Sequence, residues 1–223
     1  MKPLPKPRFE RAHTMKQRGV VLFFALIALL AMSLAAVALI RSVDTSTMIA
    51  GNLAFKQAAT TSGDAGVDAA LNWLAATQTA NNAINVLNNA AHPFNITNLA
   101  VNPGYHSNAD PALNLFADAT WDNDINDSNN TSLNSAVVGI DGSGNKIRYI
   151  IQRMCRNANQ AIQAADCLFS GALQDNNGQN IPLPQEVCQG AGCPVAGQTP
   201  QIRITARTTG PKNTVSYVQA FVY

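Results

Sequence analysis

The chain of 223 residues carries a formal net charge of +2, but its charges are unevenly distributed. The first 18 residues hold six basic residues and one acidic residue, whereas the remainder holds nine basic and twelve acidic residues. Because a nucleic-acid-binding domain presents a basic surface, and the part beyond the leader is slightly acidic, we expect no nucleic-acid partner.

An uninterrupted run of uncharged residues, 20–40, follows the basic leader 1–19. At about 1.5 Å per residue, a helix of this length spans about 30 Å, which is enough to cross the hydrocarbon core of a bilayer. Basic residues beside a span stay in the cytoplasm. The sequence therefore predicts a single-pass membrane protein with an exported C-terminal domain. The alternative is a secretory signal peptide, whose apolar core is shorter, about 7–15 residues, although residues 35–38 imitate its cleavage site.

The helix is predicted to extend from residue 20 to residue 76, because residues 41–76 contain no proline. Small and apolar residues recur there every three or four positions, a pattern that predicts packing against a sheet: Phe55, Ala58, Ala59, Ser62, Ala65, Ala69 and Trp73. Glycine weakens a helix by about 1 kcal/mol relative to alanine. Gly51, Gly63 and Gly66 therefore indicate either bends or a close backbone approach.

Residues 77–134 are predicted to form a long connecting region, since they are rich in asparagine and interrupted by prolines. Short helical turns are expected at 83–89 and 111–116, because so long a loop is seldom structureless within a compact domain.

Residues 135–223 change to β-rich runs separated by turns. The turn at 141–145 lies between the first two runs, and the turn at 208–213 lies between the last two. These pairs predict four antiparallel strands with one face covered by the long helix, which is an α+β fold. The excursion 155–193 interrupts them and contains all four cysteines.

The cysteines are predicted to form disulfide bonds, because an even number in an exported, loop-rich segment is typical of disulfides. Four cysteines allow three pairings, and loop-closure entropy favours the two short loops, Cys155–Cys167 and Cys188–Cys193. The alternative is a zinc site, but the cysteine spacing is loose and no histidine follows His106. We expect neither a metal nor another cofactor.

Two further patterns are weighed against simpler explanations. Residues 122–126 alternate oxygen ligands as a calcium loop does, but position six is Asp127 rather than glycine and position twelve is Leu133 rather than glutamate. A solvated acidic loop is favoured. Arg203 and Arg207 share one side of a predicted strand, where a solvated sheet face is favoured over a site for an acidic partner. The sequence carries no nucleophile elbow, zincin motif or phosphate loop, so we expect no enzyme.

The end of the leader, Lys16-Gln17-Arg18-Gly19, resembles that of type IV prepilins. In that family a prepilin peptidase cuts after this glycine and the new N-terminus is methylated, which implies cleavage between Gly19 and Val20 and N-methylation of Val20. The family fold is a long N-terminal helix on a four-stranded antiparallel sheet, with a disulfide-bounded region near the C-terminus. Further segments resemble the PilX group of minor pilins: 18–22, 48–53, 148–155, 202–207, 210–215 and 217–219.

One position departs from the pattern of most pilins. They carry glutamate at the fifth mature position, where it neutralises the terminal amine of a neighbouring subunit, but Phe24 stands there in this chain. PilX-like minor pilins and the tip pseudopilins of type II secretion share this absence. An unpaired buried ammonium group is costly, so such a subunit fits the tip, where no subunit above presents an amine.

The resemblance implies a minor pilin in the tip or priming complex of a type IV pilus, with roles in pilus biogenesis, adhesion and twitching motility. Its partners would be other minor pilins, the major pilin, prepilin peptidase and a large tip adhesin. Before assembly it would lie in the inner membrane as a single-pass protein with its C-terminal domain in the periplasm, and after assembly it would lie at the cell surface. Two alternatives stay open. A tip pseudopilin of type II secretion generally carries a large helical insertion, for which this chain is short. An uncleaved inner-membrane protein with a periplasmic domain is the other.

Overall fold

The computed structural model describes residues 19–121 and 133–223, apart from the side chain of Lys212. The chain divides into two compact units, Met1–Gly51 and Asn52–Tyr223. The described residues form three α-helices, seven strands and two short 3-10 helices: α1 (Val20–Ala80), the 3-10 helix Pro93–Asn95, β1 (Tyr105–His106), α2 (Asp118–Trp121), β2 (Ala136–Ile140), β3 (Lys146–Arg153), α3 (Ile162–Ala165), β4 (Phe169–Ser170), β5 (Thr199–Pro200), β6 (Ile202–Thr209), the 3-10 helix Pro211–Asn213 and β7 (Val215–Val222).

The α+β class is confirmed, with one long N-terminal helix that packs on a sheet. Helix α1 begins at Val20 as predicted and ends at Ala80, slightly beyond the predicted end at residue 76. Within the second unit its buried residues recur at spacings of three and four, as one face of a helix requires: Ala59, Gly63, Gly66, Ala70 and Leu74.

The two glycines in this buried face mark a close approach of α1 to the sheet, and the helix continues through both. A Cβ atom built on Gly63 would lie 2.5 Å from Cγ2 of Val218, and one on Gly66 would lie 2.8 Å from Cβ of Ala206. The predicted stripe was partly wrong, because Ala65 is exposed. Hydrophobic periodicity gives no weight to a residue without a side chain, although glycine is what allows the backbones to meet.

The main sheet is mixed, so the prediction of a four-stranded antiparallel sheet was wrong. The four predicted strands are present as β2, β3, β6 and β7, and they pair antiparallel. Strand β1 comes from the predicted connecting region and pairs parallel with β3, with Tyr105 opposite Ile151. Strand β2 pairs with the first half of the same edge, Ala136 opposite Tyr149. A two-residue strand is too short to leave a period-two pattern in the sequence.

Gly104 makes this shared edge possible. Its φ is +78°, and a Cβ atom there would lie 2.4 Å from the amide nitrogen of Ala136. Its carbonyl oxygen accepts a hydrogen bond from the amide of Ile151 at 2.7 Å, and its amide donates to the carbonyl of Leu133 at 2.9 Å. Because Gly104 has no Cβ atom, the chain can pass close to Ala136, and β1 and β2 lie end to end along the same edge of β3.

Three aromatic rings close the core between α1, the connecting region and the sheet. Trp73 lies 5.0 Å from Tyr105 and 6.1 Å from Phe94, measured between ring centroids, and Phe94 lies 5.8 Å from Tyr105. The connecting region therefore belongs to the core. Hydrogen-bonded turns occur in both stretches where short helical turns were expected: the amide of Asn89 donates to the carbonyl of Asn85 at 2.9 Å, and the amide of Leu113 donates to the carbonyl of Asp110 at 3.3 Å. The short helices of this region lie at Pro93–Asn95 and Asp118–Trp121.

The face of the sheet opposite α1 is also covered in part. Successive strand residues point to opposite faces, and since Val218 faces α1, its neighbour Tyr217 faces away from that helix. The ring of Tyr217 lies 6.0 Å from that of Trp121, which is fully buried, and 5.8 Å from that of Phe116. Residues 116–121 therefore lie over the second face, which the sequence had left to solvent.

Candidate functional site

The candidate processing site lies where α1 begins. Gly19 is exposed and forms a turn, and Val20 is the first helical residue and is 54% exposed. The leader residues 1–18 lie outside the described residues. Cleavage between Gly19 and Val20, and methylation of Val20, therefore stay predictions.

In the first unit, the stretch of α1 from residue 20 to residue 40 is uncharged and apolar, and every side chain in it is exposed. It is the one helix among the described residues that is long and apolar enough to cross a membrane. Phe24, the fifth residue of this stretch, is 64% exposed. Apolar groups exposed on all sides are unfavourable in water, so this segment needs lipid or other helices around it, which indicates a membrane anchor.

The structure contains two disulfide bonds, Cys155–Cys167 and Cys188–Cys193, which is the pairing that loop length favours. Cys155 lies two residues after the end of β3 and is buried. The segment between Cys155 and Cys167 returns on itself through backbone hydrogen bonds, one from the amide of Arg156 to the carbonyl of Asp166 and one from Asn157 to Ala165, both 2.9 Å. The first disulfide therefore closes a small hairpin-like loop at the end of a core strand.

The second disulfide packs against α3. A Cβ atom on Gly192 would lie 1.7 Å from the carbonyl oxygen of Gln163. The backbone of the loop that holds the second disulfide therefore contacts the backbone of α3 directly. The amide of Gln163 donates to the carbonyl of Leu87 at 3.1 Å, and the Asn85 side chain donates to the carbonyl of Val187 at 2.9 Å. These bonds join the disulfide region to the connecting region.

Between the two disulfides the chain forms an exposed lobe, residues 168–187. Strands β4 and β5 pair antiparallel at its base, and residues 171–180 are all exposed. Leu168 and Leu173 are each 58% exposed. Asp175 and Glu186 are its charged residues, so the lobe is an apolar and weakly acidic surface.

A fully buried arginine joins three segments in the second unit. Arg153 Nε donates to the carbonyl of Ser107 at 2.9 Å, Nη2 donates to the carbonyl of Gln160 at 2.8 Å, and Nη1 donates to Oδ1 of Asn95. Burial lowers the pKa of the Arg153 guanidinium. Burial likewise raises the pKa of the nearby Tyr105 phenol, which donates to the carbonyl of Phe94 at 2.8 Å. The sequence interpretation missed this network, although a basic residue ending an apolar strand was its signal.

Asn95 completes the network from the other side. It is fully buried, and its amide nitrogen donates to the carbonyls of Val86 and Asn89, both at 2.8 Å. One side chain therefore accepts from Arg153 while it holds the connecting region in place. Buried polar groups need such partners because an unpaired one costs about 1–3 kcal/mol.

The interpretation of Arg203 and Arg207 as a solvated face was wrong for Arg207. Arg207 is 5% exposed, forms an ion pair with Asp118 and lies with its guanidinium carbon 5.9 Å from the ring centre of Tyr217. Arg203 is half-buried and donates from Nη2 to Oε1 of Gln152 at 2.5 Å. Residues 116–121 lie over the second face of the sheet and bury Arg207 there, which is why a solvated face was the wrong prediction for this residue.

The two histidines among the described residues, His92 and His106, contribute to the folded structure of the second unit. His92 is fully buried, and its Nδ1 accepts the amide of Phe94 at 3.1 Å, which caps the 3-10 helix Pro93–Asn95. Nε2 of His106 lies 3.0 Å from the carbonyl oxygen of Asn134. Burial lowers the pKa of both imidazoles. Within the described residues no group of three metal-ligating side chains occurs, and the possible calcium loop at 122–133 lies almost wholly outside them.

The chain matches no protein-family model, no curated protein and no solved structure. The long apolar N-terminal helix and the sheet domain with two disulfides are compatible with a pilin-like protein, and membership of the PilX group stays a proposal.

Proposed function

We propose that this protein is a minor pilin of a type IV pilus, similar to the PilX group, that is cleaved between Gly19 and Val20 and assembles into the tip or priming complex. Other minor pilins and the major pilin are its partners, with a large tip adhesin above it. In this role it contributes to pilus biogenesis and, through the tip, to adhesion and twitching motility.

The observation that carries the proposal is the composition of α1. Its first 21 residues are uncharged and exposed, and the same helix continues into the segment that packs on the sheet of the second unit. A signal peptide is removed from the mature protein, so it is not expected to continue as one helix into the folded domain. A retained helix that is apolar on all sides supports assembly by helix-on-helix contact, which buries the surface that water disfavours.

Cleavage is tested by mass spectrometry of the mature chain from its native cells. We expect a start at Val20 with one added methyl group. Gly19→Phe should abolish this cleavage, since a bulky side chain blocks access of the peptidase. Ala38→Phe is the matched control: it alters the segment that imitates a signal-peptidase site and should leave the start unchanged. A start at 38 or 39, or an intact leader, would contradict the proposal.

The tip position is tested through Phe24. An ionisable side chain in the bilayer core costs about 2.5–3.5 kcal/mol on insertion scales, unless an amine pairs with it. We expect immunogold labelling of sheared pili to place the wild-type protein at one end and Phe24→Glu along the shaft, where neighbouring amines are present. Phe24→Gln, which adds no charge, is the control and should stay at the end. Wild-type label along the shaft would contradict the tip assignment.

A further inference from the structure

An apolar groove of about 320 Å³ lies in the second unit, where α1, the connecting region, α3 and the main sheet meet. Nearly all of its exposed lining is apolar. Its walls include side chains from each of these parts: Leu71, Leu74, Phe94, Ile162, Ile202 and Val222. Sites for small molecules are usually concave and mostly apolar, with a few polar groups that fix the orientation of the ligand. The groove has this form.

Arg153 is the most deeply buried of the side chains that line this groove. It is 1% exposed, whereas Leu74 is 9% and Leu71 is 37% exposed. The polar side chains of Gln78 and Thr199 also line the groove, and both are exposed. The groove therefore has apolar walls, a polar margin and a cation at its most buried point.

The charge of Arg153 is not neutralised by any acidic side chain among the described residues. Its three hydrogen bonds go to neutral oxygens, those of the Ser107 and Gln160 carbonyls and of the Asn95 amide. Burying a charge without a partner of opposite sign is costly. An anion that enters the groove would relieve this cost, which an equally apolar neutral molecule would not.

The guanidinium of Arg153 also keeps hydrogen-bonding capacity. It has five N–H groups, and Nε, Nη1 and Nη2 each donate one bond within the described chain. One N–H group on each of Nη1 and Nη2 therefore has no acceptor among the described residues. The two oxygens of a carboxylate accept from such a pair of donors at once. A carboxylate carries one negative charge, which equals the one positive charge to be neutralised, whereas a more highly charged anion would cost more to desolvate.

The volume of the groove limits the apolar part of such a ligand. A water molecule occupies about 30 Å³ in the liquid, and a methylene group is of similar size. A groove of about 320 Å³ therefore holds about ten non-hydrogen atoms. Octanoate has this number. A longer alkyl chain would leave the groove beside Tyr223, which lines it and is 80% exposed.

We propose that this groove binds a free fatty acid in its carboxylate form, with the alkyl chain against the apolar walls and the carboxylate on Arg153. The apolar walls give the contact its affinity for an alkyl chain, and Arg153 gives it selectivity for an anion. Every residue of the site belongs to the second unit. The proposal therefore does not rest on the pilin assignment.

The test uses the purified full chain in nanodiscs of zwitterionic lipid, with octanoate labelled with carbon-13 at its carboxyl carbon. We expect NMR to show saturable binding beyond that of empty nanodiscs. The pKa of the bound carboxylic acid should lie below that of free octanoic acid, because a nearby cation favours the charged form. Octan-1-ol and octylammonium, which have the same chain without a negative charge, should bind at least about tenfold more weakly.

Two substitutions locate the binding. Val222→Trp fills the groove and should weaken octanoate binding at least about tenfold. Leu173→Trp, on the lobe and 58% exposed, is the matched control and should leave binding unchanged. Circular dichroism checks that both variants fold, and Leu71→Trp, in the same groove, replaces Val222→Trp if that variant does not fold.

Three results would overturn the proposal: no binding of octanoate beyond that of empty nanodiscs, binding of octan-1-ol or octylammonium as tight as that of octanoate, or octanoate binding that a tryptophan in the groove leaves intact. The start of the mature chain has no effect on this groove, so failure of the pilin assignment is recognised separately.

Discussion

Replacing Gly66 by alanine tests the close contact between α1 and the sheet. The added Cβ would lie 2.8 Å from Cβ of Ala206 and 3.1 Å from Cγ2 of Ile147. The first distance is shorter than real Cβ contacts. Because an alanine side chain has no rotatable bond that could move its Cβ aside, either the helix or the strand must shift.

Two opposing effects decide the magnitude. Alanine favours the helix by about 1 kcal/mol over glycine, whereas overpacking a core costs about 1–3 kcal/mol. With a rigid neighbour at 2.8 Å, we expect the upper part of that range. The net loss of unfolding free energy for Gly66→Ala should therefore be about 1–2 kcal/mol.

The measurement is urea unfolding of the full chain in micelles, followed by the fluorescence of Trp73, whose ring packs on Tyr105. Gly51→Ala is the matched control, because nothing lies within 4 Å of its added Cβ, and it should be neutral or stabilising. Adding Ala206→Gly to Gly66→Ala should restore part of the loss, since the double variant removes the overlap. If Gly66→Ala stabilises the fold as much as Gly51→Ala does, the close-contact argument is wrong.

Three further predictions concern the second unit. Replacing both Cys155 and Cys167 by serine should cost about 3 kcal/mol from the entropy of the closed loop, measured by the same unfolding assay under non-reducing conditions. Partial burial raises the pKa of Asp141, but hydrogen bonds from the Ser62 and Asn145 side chains and from backbone amides outweigh this effect and bring the pKa to about 2. The free energy of unfolding should therefore fall as the pH drops from about 4 to 2, by at most about 1–2 kcal/mol after screening. Replacing Asp141 by asparagine should remove this pH dependence. Arg153→Lys should cost about 2–3 kcal/mol, because an ammonium group does not reach three acceptors as the guanidinium fork does, and differential scanning calorimetry measures it.

The sequence was sufficient for the elements whose signal is local and repeated. The apolar run beginning at Val20 predicted the start of α1, and alternation predicted β6 and β7 as a hairpin. Loop length was sufficient to favour the disulfide pairing that the structure contains. In each case the deciding residues are neighbours along the chain or repeat at a fixed period.

The elements that sequence reasoning missed depend on contacts between distant residues. Strand β1 exists because Gly104 lets the chain pass close to the amide of Ala136, and neither residue shows this alone. Arg207 is buried because residues 116–121 cross the second face of the sheet, about 90 positions earlier in the chain. The sequence placed Arg153 in a strand, which is correct, but its hydrogen-bond partners come from three separate segments of the chain.

The two edges of the sheet differ in how far the described residues pair with their backbone groups. At the β3 edge, β1 and β2 together take up the backbone groups, and Arg153 and the first disulfide fix the segments that flank them. At the β7 edge, no described element takes up the outward backbone groups, and the strand carries no charge. Leaving an uncharged edge of eight residues open invites aggregation. The described chain therefore closes the β3 edge with its own backbone, whereas within the described residues the outward backbone groups of the β7 edge have no strand partner.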